Sequence, residues 1–500
     1  MSGYESAAIA DYLPLPEGRA QYAREFIEAR GALVLRRSRR ELCVGLASDV
    51  GEELVRELSI FHRELSLSFR TIDRAELTAY LGASAAADAD AGAAVGAARG
   101  AAAEAAGRVA LDRLASDAPV VNLVNSIIIE GIRSGASDIH LEALETEMRV
   151  RYRIDGFLRT ARSLDKARFE AVSSRIKVMA NLNIMERRLP QDGRISVDIG
   201  GDAVEMRVSV VPIAGGESIV LRLFNRSSEP LGLDQLGLEP GQLELARSLL
   251  NTSSGLVLVT GPTGSGKTTT LNAMLRLVSS ESLKVVTIED PVECLLDGVS
   301  QIQTNERIEL GFDTILRRVL RQDPNVVMIG EIRDRATAEL AVRAAMTGHL
   351  VLSSLHTNDS ASAIPRLRDL GVEPYLIATV LRGAIAQRLV RRVCDSCRRE
   401  RAATSAELRL LRKYGCGASS LSVGAGCEAC GGSGFRGRIA LSEGYAVDAG
   451  LEGLILGEGR AAAIGRYLRR RGMEGLARDG MAKAARGITT VSEIEREVEL

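Results

Sequence analysis

The sequence contains no tryptophan, and aromatic residues make up only 3% of its 500 residues. Proteins that hold single-stranded nucleic acid need flat aromatic faces for base stacking, and this chain is poorly supplied with them. Positive charge is not in surplus either: 64 Lys and Arg stand against 65 Asp and Glu, a formal charge of -1. A nucleic-acid binder usually shows a basic excess, so nucleic acid is not an expected partner. No run of eighteen apolar residues occurs, which argues against a membrane-spanning helix. The opening segment MSGYESAAIADYLPLPEG lacks the basic start and apolar centre of an export signal. A cytoplasmic location is therefore expected, with membrane contact made through a partner. Seven cysteines, an odd number in a chain without such a signal, argue against a disulfide framework.

What is present describes a globular chain too long for one core, at 46% hydrophobic and 26% charged residues, so two to four domains are expected. Residues 1–81 read as a small α/β module, with GALVLRR and ELCVGLAS as paired strands and EELVRELSIFHREL helical in its apolar spacing. Residues 82–116 are rich in Ala and Gly with little to bury, the pattern of a flexible linker. Residues 117–230 form an α+β module: VVNLVNSIIIEGIRSG predicts a helix, and DIHLEALETEMRVRYRIDGFLR and RISVDIGGDAVEMRVSVVP predict short strands. Over 231–393, strand-like apolar runs alternate with helical stretches, which predicts an α/β domain on a parallel sheet. Cysteine pairs mark 394–438, and 439–500 reads as a helical, Arg-rich tail.

The strand-like run Leu256–Thr260 leads directly into Gly261-Pro262-Thr263-Gly264-Ser265-Gly266-Lys267-Thr268, and a helical stretch, TTTLNAMLRLV, follows. This is the G-x-x-x-x-G-K-[ST] pattern in its required strand-to-helix setting. The glycines let backbone N–H groups turn inward around phosphate oxygens at a positive helix end. Lys267 then reaches the β- and γ-phosphates of ATP, and the Thr268 hydroxyl is the candidate Mg²⁺ ligand. Thr269 completes the candidate nucleotide-binding set.

Three further apolar runs end in polar groups: KVVTI in Glu289-Asp290-Pro291, NVVMI in Gly330-Glu331, and HLVLSSL in His356-Thr357-Asn358-Asp359. Ligands of open parallel sheets bind beyond the carboxyl ends of the strands, where all three endings would meet. A carboxylate there can polarise an attacking water or hold Mg²⁺ through water. The second run lacks the Asp that usually closes such a strand, with Gly330 in its place. That makes Glu331 the leading candidate for general base, with Glu289 the alternative. His356 is a candidate hydrogen-bond donor to the γ-phosphate, and His349 stands in a similar motif-like setting.

Cys394-x-x-Cys397 and Cys427-x-x-Cys430 can converge on one ion as a closed tetrahedral zinc site. A redox dithiol would need only one pair, and no His or carboxylate shares the motif, so the expected role is structural. Cys43, Cys294 and Cys416 read as isolated thiols.

With these motifs assembled, the chain from about Asp117 onward resembles the secretion ATPase superfamily, and within it the type II secretion ATPases. VVTIEDPVE (285–293) is similar to the family's Asp box, RQDPNVVMIGEIRD (321–334) to its Walker B region, and AMTGHLVLSSLHTND (345–359) to its His box. ASDIHLE (136–142) and RRLPQDGRIS (187–196) are similar to signatures of its second N-terminal domain. The resemblance implies a RecA-like ATPase domain joined to a PAS-like second domain, assembled as a hexamer with ATP between subunits. It also implies roles for four arginines: Arg207 and Arg222 would approach the ATP phosphates from the second domain, and Arg317 and Arg321 would lie near subunit contacts. A zinc element implies assembly rather than pilus retraction. By the same resemblance the N-terminal module docks on an inner-membrane protein, general secretion pathway protein L, with protein F a further platform partner. The function expected is a type II secretion motor driving pseudopilus growth, and the alternative is a type IV pilus assembly ATPase with the same motifs.

Overall fold

The computed structural model describes residues 118–199, 202–225, 230–305, 308–457 and 460–500, together with parts of 4–80. It divides into two compact units, Met1–Ala110 and Leu111–Leu500. The expected linker, 82–116, lies outside the described residues. Among those described, no helix is long and apolar enough to cross a membrane.

In the first unit, β1 (Ala32–Arg37) runs antiparallel to β2 (Glu41–Ala47), the two paired strands expected there. β2 is parallel to β3 (Ser66–Ile72), and helix α1 (Glu52–Phe61) lies in the connection that this parallel pairing requires. Alternate side chains of β1 feed two cores, with Leu33 and Leu35 in one and Ala32 and Val34 in the other.

The second unit begins with helix α2 (Ala118–Arg133), where the VVNLVNSIIIEGIRSG pattern predicts one. β4 (Ala136–Ala143), β5 (Glu147–Ile154), β6 (Phe157–Asp165), β7 (Gln191–Ile199), β8 (Asp202–Ile213) and β9 (Gly216–Asn225) form an antiparallel sheet in the order β6-β5-β4-β9-β8-β7. One face packs Ile139, Leu141, Val150, Val208 and Leu221 against α2 and helix α3 (Phe169–Met179). Because side chains alternate, the other face carries charge, including Asp138, Arg151, Arg153, Arg207 and Arg222.

β10 (Gly255–Thr260), β11 (Val285–Glu289), β12 (Val299–Gln303), β13 (Val326–Ile329), β14 (Leu350–Leu355) and β15 (Leu381–Val393) build a parallel sheet in the order β12-β11-β13-β14-β10-β15. The four central strands are buried along their whole length, because helices cover both faces. Leu256 and Leu258 point to one core, with helices α6 (Phe312–Val319) and α7 (Arg335–Met346). Val257 and Val259 point to the other, with α4 (Pro240–Leu250) and α5 (Lys267–Val278).

A correction concerns the chain after 393. A short ribbon, β16 (Arg398–Ala402) with β17 (Ser420–Gly424), stands inside the cysteine segment. The sheet then gains a seventh strand, β18 (Phe435–Ala446), antiparallel to β15. The boundary expected at 438 therefore falls within a strand, and the cysteine segment is an insertion between the last two strands of the main sheet. Helices α8 (Leu476–Ala485) and α9 (Val491–Glu497) cover this end, packing Met481 and Ile494 against Val390 and Leu441.

Candidate functional site

The loop after β10 bends where its glycines allow. Gly266 has φ +87°, in the left-handed region that side chains avoid. Gly261 is needed for space as well, since a Cβ there would lie 2.6 Å from the Gln387 carbonyl oxygen. Thr263 and Gly264 are exposed at the tip, Thr268 is half-buried, and Ser265 and Lys267 are buried. Lys267 Nζ donates to the carbonyls of Gly261 (2.9 Å) and Pro262 (3.0 Å). Burial pushes the Lys267 ammonium pKa down, the Glu331 carboxylate opposes this, and Arg388 adds to it.

Glu331 directly follows Gly330 at the end of β13. Its Oε2 lies 3.1 Å from His356 Nε2, at the end of β14, and its Oε1 is paired with Arg333. The structure thus brings Lys267, Glu331 and His356 together at the carboxyl end of the sheet. Glu289, at the end of β11, is 2% exposed. Its Oε1 accepts from Thr287 Oγ1 (2.6 Å) and Gln301 Nε2 (3.0 Å), whereas Oε2 is buried without a partner. Of the two carboxylates, Glu331 is the one whose charge acts on Lys267. His349 is elsewhere: it precedes β14 at the opposite end of the sheet, with Nδ1 2.9 Å from the Ala344 carbonyl.

Arg207 and Arg222 are cross-strand neighbours on β8 and β9. Arg222 Nε donates to Asp138 Oδ1 (2.9 Å). Arg207 faces the 289–293 segment of the same chain, for the cleft lined by Arg194, Arg207 and Phe224 is closed by Pro291, Val292 and Gln303. Burial and Glu289 raise the Glu293 carboxyl pKa, and Arg222 and Arg207 pull it back down. Arg317 is exposed on α6, paired with Asp313 at 3.6 Å, and Arg321 is exposed in the turn that follows. Among the described residues, no hydrogen bond or ion pair ties either of these to the nucleotide loop.

Reasoning from the sequence missed two residues of β15. Gln387 bonds the loop and α5 through both ends of its amide, and Arg388 Nη2 donates to the Asn358 carbonyl (2.7 Å) beyond β14. The signal available was a Gln-Arg pair inside the otherwise apolar run GAIAQRLV.

The four cysteines converge. Sγ–Sγ separations are 3.9 Å (Cys394–Cys427), 3.9 Å (Cys397–Cys430) and 3.7 Å (Cys427–Cys430), and all four sulfurs lie within 4.8 Å of one another. A tetrahedron with metal–sulfur bonds of about 2.3 Å has edges of about 3.8 Å, so the tetrad fits zinc. The N–H groups of Cys427 (3.1 Å) and Gly434 (3.2 Å) donate to Cys430 Sγ. Although burial raises the Cys430 thiol pKa, these bonds hold it below the ordinary range, favouring the thiolate a metal needs. The β5–β6 edge of the antiparallel sheet rests on this element. Arg159 Nη1 donates to the Cys430 carbonyl (3.0 Å), and the Gly437 N–H donates to Asp155 Oδ2 (2.9 Å). Arg391 stacks between Phe157 (3.7 Å) and Phe435 (4.2 Å) while bonding Glu493.

A family model described as "Type II/IV secretion system protein" matches residues 113–496, so the N-terminal unit lies outside it. The chain is 45% identical over 380 residues to the type II secretion system protein E of Pseudomonas aeruginosa, covering 76% of each. It is 43% identical over 380 residues to the type II secretion system ATPase E of Vibrio cholerae, covering 76% of this chain and 75% of that one. Among solved structures, the pilus retraction motor PilT with bound ADP is 26% identical with a TM-score of 0.52, covering 75% of this chain and 96% of that one. The Legionella pneumophila ATPase DotB, 22% identical with a TM-score of 0.57 over 75% of this chain and 94% of that one, shares the fold. By this match and these relatives, the chain belongs to the type II/IV secretion system protein family, as an ATPase of its type II branch.

Proposed function

We propose that this ATPase is the motor of a type II secretion system, spending ATP on growth of a periplasmic pseudopilus that carries folded proteins across the outer membrane. The observation that carries the reading is the convergence of Lys267, Glu331 and His356 beside the phosphate-binding loop. The loop from Gly261 to Thr269 holds the triphosphate, and Lys267 supplies a fixed positive charge to the β- and γ-phosphates. The Thr268 hydroxyl, with Glu289 acting through water, would hold Mg²⁺, which would supply neutralising charge to the phosphate oxygens. Glu331 takes a proton from the attacking water as the bond to the γ-phosphorus forms and the bond to the β-phosphate oxygen breaks, releasing ADP and phosphate. His356, already beside Glu331, is the donor to the γ-phosphate once ATP is bound. Arg207 and Arg222 stabilise the transition-state charge from the second domain, and Arg317 and Arg321 act at subunit contacts of a hexamer. Cys394, Cys397, Cys427 and Cys430 would hold zinc, which would supply a structural cross-link and no chemistry.

The N-terminal unit docks on general secretion pathway protein L and so brings the motor to the inner membrane, with protein F a further platform partner. Two observations support this: the unit lies outside the family match, and no catalytic motif falls in it. Deleting residues 1–81 is expected to leave ATP binding intact, to move the protein from the membrane fraction to the cytosol and to stop secretion. Sedimentation of the truncated chain with partner-containing membranes would move the docking site elsewhere. For the motor itself, the wild-type gene should restore exoprotein release to a strain lacking its own copy, and Lys267→Ala should not. Restoration of pilus extension instead of secretion would favour the pilus-assembly alternative.

A further inference from the structure

We infer that Gln387 is a positioning residue for the nucleotide loop, setting the direction of the peptide that follows Ser265. The inference rests on the reading that this loop binds ATP. β10 ends at Thr260, which pairs with Ala386 of β15, so Gln387 stands level with the first residue of the loop. It is 1% exposed, and both ends of its amide are engaged. Nε2 donates to the Ser265 carbonyl (2.9 Å), and Oε1 accepts from Thr270 Oγ1 (2.6 Å) on the first turn of α5. One side chain therefore grips the loop and the helix it feeds.

The geometry has a chemical consequence. In a trans peptide the C=O and the next N–H point in opposite directions. Holding the Ser265 carbonyl against β15 turns the Gly266 N–H away from the strand, toward the hollow where phosphate oxygens would be received. The backbone of Gln387 limits the loop too, since its carbonyl oxygen lies 2.6 Å from where a Gly261 Cβ would be. Its Nε2 lies 2.8 Å from where a Gly266 Cβ would be. Gln387 thus crowds both flanking glycines, and the Ser265 hydroxyl, 2.4 Å from the Gly261 Cβ position, crowds the first as well. Core filling alone does not call for an amide here. Methionine would occupy similar space without the cost of desolvating two polar ends.

The test compares the full-length wild type with Gln387→Met and Thr270→Val, measuring the Kd of a fluorescent ATP analogue, steady-state KM and kcat, and the urea midpoint without nucleotide. Loss of both hydrogen bonds, at roughly 0.5–1.5 kcal/mol each, predicts Kd and KM raised about tenfold, or about 1.4 kcal/mol, in Gln387→Met. Thr270→Val, which removes one bond, is expected to raise them about threefold. In both variants kcat should fall by less than KM rises. A lowered urea midpoint with unchanged Kd and KM would mean that Gln387 serves only the core, and would overturn the inference. If Gln387→Met does not fold, Thr270→Val decides by the same comparison. A wild type that binds no analogue would overturn the ATP reading itself, whereas a binding wild type matched by both variants overturns only the role of Gln387.

Discussion

The nucleotide loop is gripped by β15 and the cysteine tetrad begins directly after that strand, yet the two sites are built for opposite lifetimes. At the loop the groups offered are backbone N–H groups and one ammonium, the tip is exposed, and Lys267 is held by nothing stronger than two carbonyls. Such contacts exchange readily for phosphate oxygens. At the tetrad four sulfurs already stand at metal-binding separations, two of the cysteines are buried, and N–H groups stabilise the thiolate. Those contacts have no reason to open. The loop offers contacts suited to an exchanging ligand, the tetrad offers a set suited to a resident ion, and the β5–β6 edge of the antiparallel sheet leans on the tetrad.

The largest effect expected is at the tetrad. Cys397→Ser should lose zinc and unfold the 394–434 segment, because structural zinc contributes about 10–16 kcal/mol apparent in small peptide sites. Metal analysis of protein purified without chelators should find one zinc per wild-type chain. Finding none would erase the contrast between the two regions.

The exchanging site should respond to ligand concentration instead. ATP at a hundred times its Kd should stabilise the wild type by about 2.7 kcal/mol, and Lys267→Ala should lose most of this along with turnover. Equal ATP-induced shifts in thermal unfolding would remove Lys267 from the site.

A smaller effect sharpens the claim that the sheet edge leans there. Phe157→Ala removes the ring on which Arg391 and Arg496 stack and should cost about 1–2 kcal/mol. The second domain should then unfold before the ATPase domain, giving two steps in urea. A wild-type profile would mean that the stack carries no weight between the domains.

What could be read from the sequence follows from how local each feature is. The phosphate loop is eight consecutive residues between a strand and a helix, so its motif and its setting were visible together. Glu331 and His356 are far apart in sequence, but each ends an apolar run, and a parallel sheet places such endings side by side. The tetrad was legible because each pair keeps its own two-residue spacing. Gln387 was not, because its partners Thr270 and Ser265 are 117 and 122 residues away, and the Gln-Arg pair in an apolar run marks a polar site without saying what it meets. The contact of the sheet edge with the tetrad was hidden for the same reason, with Arg159 and Cys430 separated by 271 residues. The misplaced boundary at 438 has a different cause: the first residues of β18, FRGR, carry too few apolar positions to read as a strand, and only pairing with β15 makes them one. Arg207 and Arg222 became candidates through family resemblance alone, since nothing in a lone antiparallel sheet distinguishes two arginines from the others on its charged face.

The central claim, that Glu331 performs the chemistry at a site that binds ATP without it, is tested most directly by Glu331→Gln. The substitution keeps shape and hydrogen bonding but cannot accept a proton. Nucleotide affinity and single-turnover hydrolysis should be measured on the same preparation. The expected result is ATP binding within a few-fold of wild type and hydrolysis slowed at least ~10²-fold, the low end of a general-base contribution. Turnover close to wild type would contradict the account and pass the role of base to Glu289.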